Sequence, residues 1–154
     1  MNSKPLLEVN KLNIRYQTQD GEVHAVADVS FKVFPNEVFG IAGESGCGKS
    51  TLIKGIMRLL PENAKMDASS IKYKDQEIDS MREKNFREEV LWKQISLVPQ
   101  SAMNSLNPVY KVGEQIVEAI QAHTSQGIKE ARERVAELFD VVGLQSEFMD
   151  SFPH

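Results

Sequence analysis

The sequence predicts an α/β fold, and three observations carry that prediction. An apolar run, Val38-Phe39-Gly40-Ile41-Ala42, leads into a glycine-rich stretch and then into the helix-patterned residues Thr51 to Leu60. The residues before this run alternate apolar and polar side chains, the period of half-buried strands. The last third instead repeats apolar residues at three- and four-residue steps, the period of helices. With 154 residues, 41% of them hydrophobic, the chain suits a single domain able to bury a core.

Taken in order, Leu7, Val9, Leu12, Ile14 and Tyr16 fit one buried strand face if a bulge falls near Asn10-Lys11. Asp20-Gly21 signals a hairpin turn before Val23 to Val26, and a second turn is expected soon after. Val29, Phe31 and Val33 then alternate with Ser30 and Lys32, and Pro35-Asn36 closes this strand ahead of the buried strand Val38 to Ala42. The opening is thus an antiparallel β layer feeding one core strand.

The next nine residues, Gly43-Glu44-Ser45-Gly46-Cys47-Gly48-Lys49-Ser50-Thr51, fit the pattern G-x-x-x-x-G-K-[ST] of a Walker A phosphate-binding loop, or P-loop. A triphosphate carries several negative charges. Inward-turned backbone N–H groups, a helix N-terminus and one mobile ammonium can hold it. Glycines permit the tight turn, Lys49 reaches the β/γ-phosphates and Ser50 offers a hydroxyl to Mg²⁺. A plain glycine turn is the bland alternative, but the four fixed positions would coincide by chance in roughly one chain of this length in a hundred.

Pro61 is expected to stop the loop's helix, and Glu62 to Asp67 to form a polar connection. Ile71, Tyr73 and Ile78 around Asp75-Gln76 predict a short edge hairpin, and Met81 to Trp92 a charged surface helix that Trp92 packs onto the sheet. Gln94 to Val98 is the second candidate core strand, followed by the polar loop Ser101 to Lys111. Two helices close the chain. Val112 to His123 carries Ile116, Ala119 and Ile120 on one face; Ile128 to Val142 carries Ile128, Ala131, Val135, Leu138 and Val142, with Gly143 at C′ and a Glu130–Arg134 pair one turn apart.

The bulk numbers exclude several classes. A net charge of −4 without any Lys/Arg block argues against nucleic acid. No apolar run approaches the ~18 residues of a membrane span, and the start lacks a signal-peptide layout, so a cytosolic chain is expected. The single cysteine, Cys47, excludes an internal disulfide and fits a reducing compartment. Cys47 fills a small-residue slot in the loop, His24 and His123 have no partner at metal spacing, and the adjacent Glu88 and Glu89 point apart on a helix. The charge-rich Lys129 to Glu137 is a solvated helix face.

Beyond the loop, Tyr16 lies well upstream in a strand and Gln100 ends the Ile95-to-Pro99 strand. With Ser101-Ala102-Met103-Asn104-Ser105-Leu106-Asn107-Pro108-Val109, Val142-Gly143-Leu144 and Phe152-Pro153-His154, the chain resembles the ATP-binding subunits of ABC importers for oligopeptides, dipeptides and nickel. The resemblance implies a P-loop NTPase (RecA-like) core over residues 1–111 and a partial helical subdomain over 112–154, truncated. It implies ATP and Mg²⁺ as ligands, with Tyr16 stacking on adenine and residues Gly43 to Thr51 cradling the phosphates. Ser50 and Gln100 would hold Mg²⁺, and Lys49 and Gln100 would serve catalysis.

It further implies permease subunits docked on Ser101 to Val112, a second ATP-binding subunit, an extracellular peptide-binding protein reached indirectly, and a place on the cytoplasmic face of the membrane. The family's Leu-Ser-Gly-Gly segment, Walker B carboxylates, D-loop and switch histidine do not occur up to His154, which is not that histidine. This stretch is therefore expected to bind ATP without turning it over and to leave apolar edges open. A non-catalytic nucleotide-binding or interaction module, and another kind of P-loop NTPase, remain alternatives.

Overall fold

Alternating apolar side chains at the N-terminus build the strand around which the first half of the chain packs. The computed structural model describes residues 4–99 and 105–154, in two compact units that meet in sequence at Arg87 and Glu88. In the first unit, β1 (Leu7–Thr18) pairs antiparallel with β2 (Gly21–Val33), from Leu7 opposite Val33 to Thr18 opposite Gly21. Lys11 and Asp28 take positive φ (50° and 49°) where the register shifts, and side chains satisfy the backbone donors there. Ser30 Oγ accepts from the Lys11 N–H at 2.8 Å and Asn13 Oδ1 from that of Asp28 at 2.9 Å. The expected bulge is thus present, whereas β2 runs unbroken through the place of the expected second turn.

The other edge of β1 is shared. β4 (Ser70–Tyr73) pairs with residues 7–10 and β3 (Ala64–Asp67) with residues 13–16, while β5 (Gln76–Glu77) continues from β4. Residues 64–67, expected as a polar connection, are a strand because β1 is long enough to offer them free backbone groups. The turn of the edge hairpin sits at Lys74-Asp75 (φ 48° and 66°), one residue earlier than expected. Val9, Leu12 and Ile14 are fully buried, with Ile71, Ile78 and Phe86 nearly or wholly so.

Helix α1 (Lys49–Ile56) contributes Leu52 and Ile56 to the buried set. It lies so close to β1 that a Cβ on Gly55 would come within 2.4 Å of Ile14 Cδ1. The helix ends four residues before Leu60. Arg58 turns left-handed (φ 54°), its N–H donates to Gly55 O at 3.0 Å and that of Leu59 to Lys54 O at 2.8 Å, the pair of bonds of a Schellman termination.

Neither expected core strand forms. Residues 38–42 and 94–98 belong to no ladder among the described residues, save one bridge between Leu91 and Ile95. Val38 and Val98 are largely or wholly exposed, because no neighbouring strand lies alongside to take up their backbone and side chains. The expected Met81-to-Trp92 helix is reduced to one turn, α2 (Glu83–Asn85), followed by a π turn at Phe86–Val90.

In the second unit, α3 (Val112–His123) and α4 (Ile128–Val141) pack with a 3-10 turn at Ser146–Asp150 around Val117, Ala131, Val135, Phe139 and Met149. The buried stripe of α4 runs through Ala131, Val135 and Phe139 at four-residue steps, so Ile128, Leu138 and Val142 turn outward, contrary to the expected face. Gly143 ends the helix at positive φ (74°) as expected. Glu130 caps the Gly127 N–H at 3.1 Å, and Arg134 pairs with Glu137 at 2.7 Å instead of with Glu130. Trp92 stays exposed and stacks on the His123 ring at 4.8 Å, so it does not pack a helix onto the sheet.

Asp150 joins this unit's pieces by accepting from Lys111 at 3.3 Å, before α3, and from Arg132 at 3.4 Å, on α4. The Lys111 ammonium first, and then the Arg132 guanidinium, holds the Asp150 carboxyl below its ordinary value of 3.8. A carboxylate with a depressed folded pKa stabilises above its unfolded pKa and ceases to do so as pH falls through the folded one. The Asp150 pairs are therefore expected to add to the stability of the second unit at neutral pH and to stop doing so as pH falls through the folded pKa of Asp150. Asp150→Asn should lower its melting temperature at neutral pH and leave it unchanged well below the ordinary aspartate range; parallel thermal melts by circular dichroism check both.

Candidate phosphate-binding site

The site grows from the head of α1. The first four N–H groups of a helix have no acceptor inside it, and here the N-cap, Gly48, provides no side chain to take one. The Leu52 N–H donates to Gly48 O at 2.8 Å, while the N–H groups of Gly48, Lys49, Ser50 and Thr51 meet no acceptor among the described residues. Four such donors at the positive end of a helix dipole form an anion site.

Gly48 sets where this head sits. Its backbone is left-handed (φ 93°), and a Cβ there would lie 2.2 Å from the Ala25 carbonyl oxygen of β2. The absence of a side chain thus lets the loop lie against the edge of the antiparallel layer. The entry segment is held by the same strand, since the Phe39 ring stacks on Phe31 with centroids 5.1 Å apart and planes 12° from parallel.

Lys49 folds back over the loop. Its Nζ donates to Gly43 O at 2.8 Å and to Glu44 O at 2.7 Å, and reaches Cys47 Sγ at 3.5 Å. This keeps the ammonium at the loop's mouth without pairing it to a carboxylate among the described residues, so its charge stays open to an incoming anion. Lys49 and Ser50 border a cleft of about 330 Å³ with Phe39, Ile41 and Ile53, at the small end of ligand sites. Among the described residues no acidic side chain borders it. The described residues hold no group of three His, Cys, Asp or Glu side chains arranged for a metal.

Tyr16 is brought to the same place. From β1 its half-buried hydroxyl donates to Thr51 Oγ1 at 3.4 Å, which sets the ring beside the first turn of α1. Gly43 to Thr51 and Tyr16 are thus assembled, whereas Gln100 and residues 101–104 of the expected docking stretch lie outside the described residues. Further on, Gln115 of α3 shapes the remaining loop. Its Oε1 accepts from the Asn107 N–H at 2.8 Å, and its Nε2 donates to Asn107 O and Tyr110 O at 3.0 and 3.1 Å. Val109 and Tyr110 are left exposed. Sequence reading missed this glutamine, and it missed Arg58 at the helix end, which Pro61 could have marked because proline often follows a C-cap closely.

Open N–H donors, a lysine at their mouth and the helix behind them define the class: a P-loop nucleoside-triphosphate-binding protein. Residues 26–153 match the ABC transporter family, and the chain belongs to it. Over 153 residues it is 40% identical to the "Oligopeptide transport ATP-binding protein OppD" of Mycobacterium tuberculosis, covering 97% of this chain and 25% of that one. The "Dipeptide transport ATP-binding protein DppD" of Bacillus subtilis is 36% identical over 152 residues, 97% of this chain and 45% of its own. The "Putative peptide import ATP-binding protein" of Brucella abortus (strain 2308) is 33% identical over 156 residues, all of this chain and 47% of its own. The chain thus spans about half, or less, of the length of these curated relatives. No helix among its described residues is long and apolar enough to cross a membrane.

Replacing Gly48 with alanine should be damaging. The left-handed backbone alone disfavours alanine by about 1–2 kcal/mol, and the Ala25 carbonyl leaves its methyl no room. Gly48→Ala is expected to abolish phosphate-dependent ligand binding in filter or fluorescence assays, with far-UV dichroism retained.

Proposed function

We propose that this chain is the ATP-holding part of an ATP-binding subunit in an ABC importer of peptides. The observation that carries the reading is the set of four uncommitted N–H donors at Gly48 to Thr51 with Lys49 folded over them. The peptide class is supported by the names of the relatives, which describe oligopeptide, dipeptide and peptide import.

In this reading the backbone from Glu44 to Thr51 cradles the phosphates, Lys49 offsets their charge and Ser50 ligates Mg²⁺. Tyr16 exchanges its Thr51 contact for the adenine face, and Gln100 completes the Mg²⁺ shell and orients water. Hydrolysis belongs to the whole protein, in which two ATP-binding subunits close on two ATP molecules; this stretch alone binds ATP. Residues 1–111 act as the binding core and 112–154 as part of a helical subdomain. The stretch Ser101 to Val112 meets permease subunits at the cytoplasmic face of the membrane, with Val109 and Tyr110 as its apolar contacts. A peptide-binding protein outside the cell is reached only through the permease.

Strands from another part of the family-length protein cover the apolar segments 38–42 and 94–98 in this reading. Support comes from the exposure of Val38, Phe39, Leu97 and Val98.

Two substitutions test the site. Lys49→Ala should remove tight Mg-ATP binding in calorimetry, and unchanged affinity would overturn the assignment of the loop. Tyr16→Ala should weaken ATP by about 1–3 kcal/mol, the usual worth of base–aromatic stacking, while binding of inorganic triphosphate stays the same. Equal loss for both ligands would return Tyr16 to a packing role.

A further inference from the structure

We propose that Arg58, at the far end of α1, is a positioning residue that aims the phosphate-binding donors. It occupies the C′ position of the Schellman termination with φ 54°, a place usually taken by glycine. Arginine in this backbone conformation is uncommon, and its side chain shows what holds it there. Nη2 donates to the carbonyls of Ile78 and of Asp79, the latter at 2.8 Å. Nη1 donates to Met81 O at 2.8 Å and reaches Glu83 Oε2 at 3.5 Å. The guanidinium carbon lies 4.5 Å from the centroid of the fully buried Phe86 ring. A planar fork with five donors in fixed directions on a wide, rigid group can hold carbonyls spread over several residues, where a lysine ammonium gathers its acceptors around a single atom.

The clamped segment is itself tied to the sheet, because Asp79 Oδ1 accepts from the Ile71 N–H of β4 at 3.1 Å. A continuous path therefore runs from β4 through Asp79 and Arg58 into α1. That helix has eight residues, fewer than the dozen or so that hold a helix by themselves. Its contact with β1 at Gly55 provides a pivot, and Gly48 against Ala25 limits its head. Arg58 restrains the remaining freedom, rotation about that pivot, and so decides where the N–H groups of Gly48 to Thr51 point. The proposal rests on reading the loop as a nucleotide site.

The test is Arg58→Gly, which tolerates the left-handed backbone and removes only the fork. In the full chain, affinity for both Mg-ATP and inorganic triphosphate is expected to fall about tenfold at a temperature where far-UV dichroism matches wild type, and Arg58→Lys to restore only part of it. A folded Arg58→Gly chain that binds both ligands within about twofold of wild type overturns the proposal, even if its melting temperature is lower. If Arg58→Gly fails to fold, Arg58→Lys decides: weakened triphosphate binding in a folded chain supports the role, and wild-type affinity refutes it. Wild-type protein that binds neither ligand removes the nucleotide reading and the positioning role together.

Discussion

A helix of two turns cannot aim anything unless something else holds it, and that constraint governs the first half of this chain. Helix α1 carries four backbone donors and a lysine at its head, all of them useful only if they point at one place. The sheet supplies the restraint at three levels. Gly48 lies on the Ala25 carbonyl, Gly55 on Ile14, and Arg58 is bound into the Ile78-to-Phe86 segment. The antiparallel layer is thus a mount for the loop. Its bulges at Lys11 and Asp28 bend β1 and β2 while keeping Val9, Leu12 and Ile14 on one buried face.

The entry to the loop is held differently. Residues 38–42 have no ladder partner among the described residues and are fastened chiefly by Phe39 stacking on Phe31. An apolar segment with both flanks open costs free energy in water. The same holds around Leu97 and Val98. A loop fixed on the helix side and loosely supported on the strand side is well built for holding phosphates. Turning them over needs further groups, placed to polarise water and stabilise developing charge.

In the second unit, polar side chains organise surfaces that apolar residues then present. Gln115 ties down the loop from Asn107 to Tyr110 with three hydrogen bonds, so Val109 and Tyr110 stand out to solvent on a rigid support. Asp150 does the same for the junction of the two helices and the 3-10 turn.

The amino-acid sequence by itself determined the class of the protein and the identity of its phosphate loop, because glycine, lysine and serine at fixed spacing are local requirements of backbone geometry and charge. It also determined the bulge in β1, where the apolar alternation from Leu7 to Tyr16 slips at Asn10-Lys11, and the end of α4, where Gly143 takes a positive φ at no steric cost. Tertiary structure alone decided the rest. Residues 64–67 became a strand because β1 had a free edge, and residues 38–42 failed to become one because no neighbour lay beside them. The exposed Trp92 and the turned stripe of α4 reflect which surfaces were available to cover. The part of Arg58 was hidden for the same reason: its four acceptors lie 20 to 25 residues further along the chain, and only folding brings them to the end of the helix.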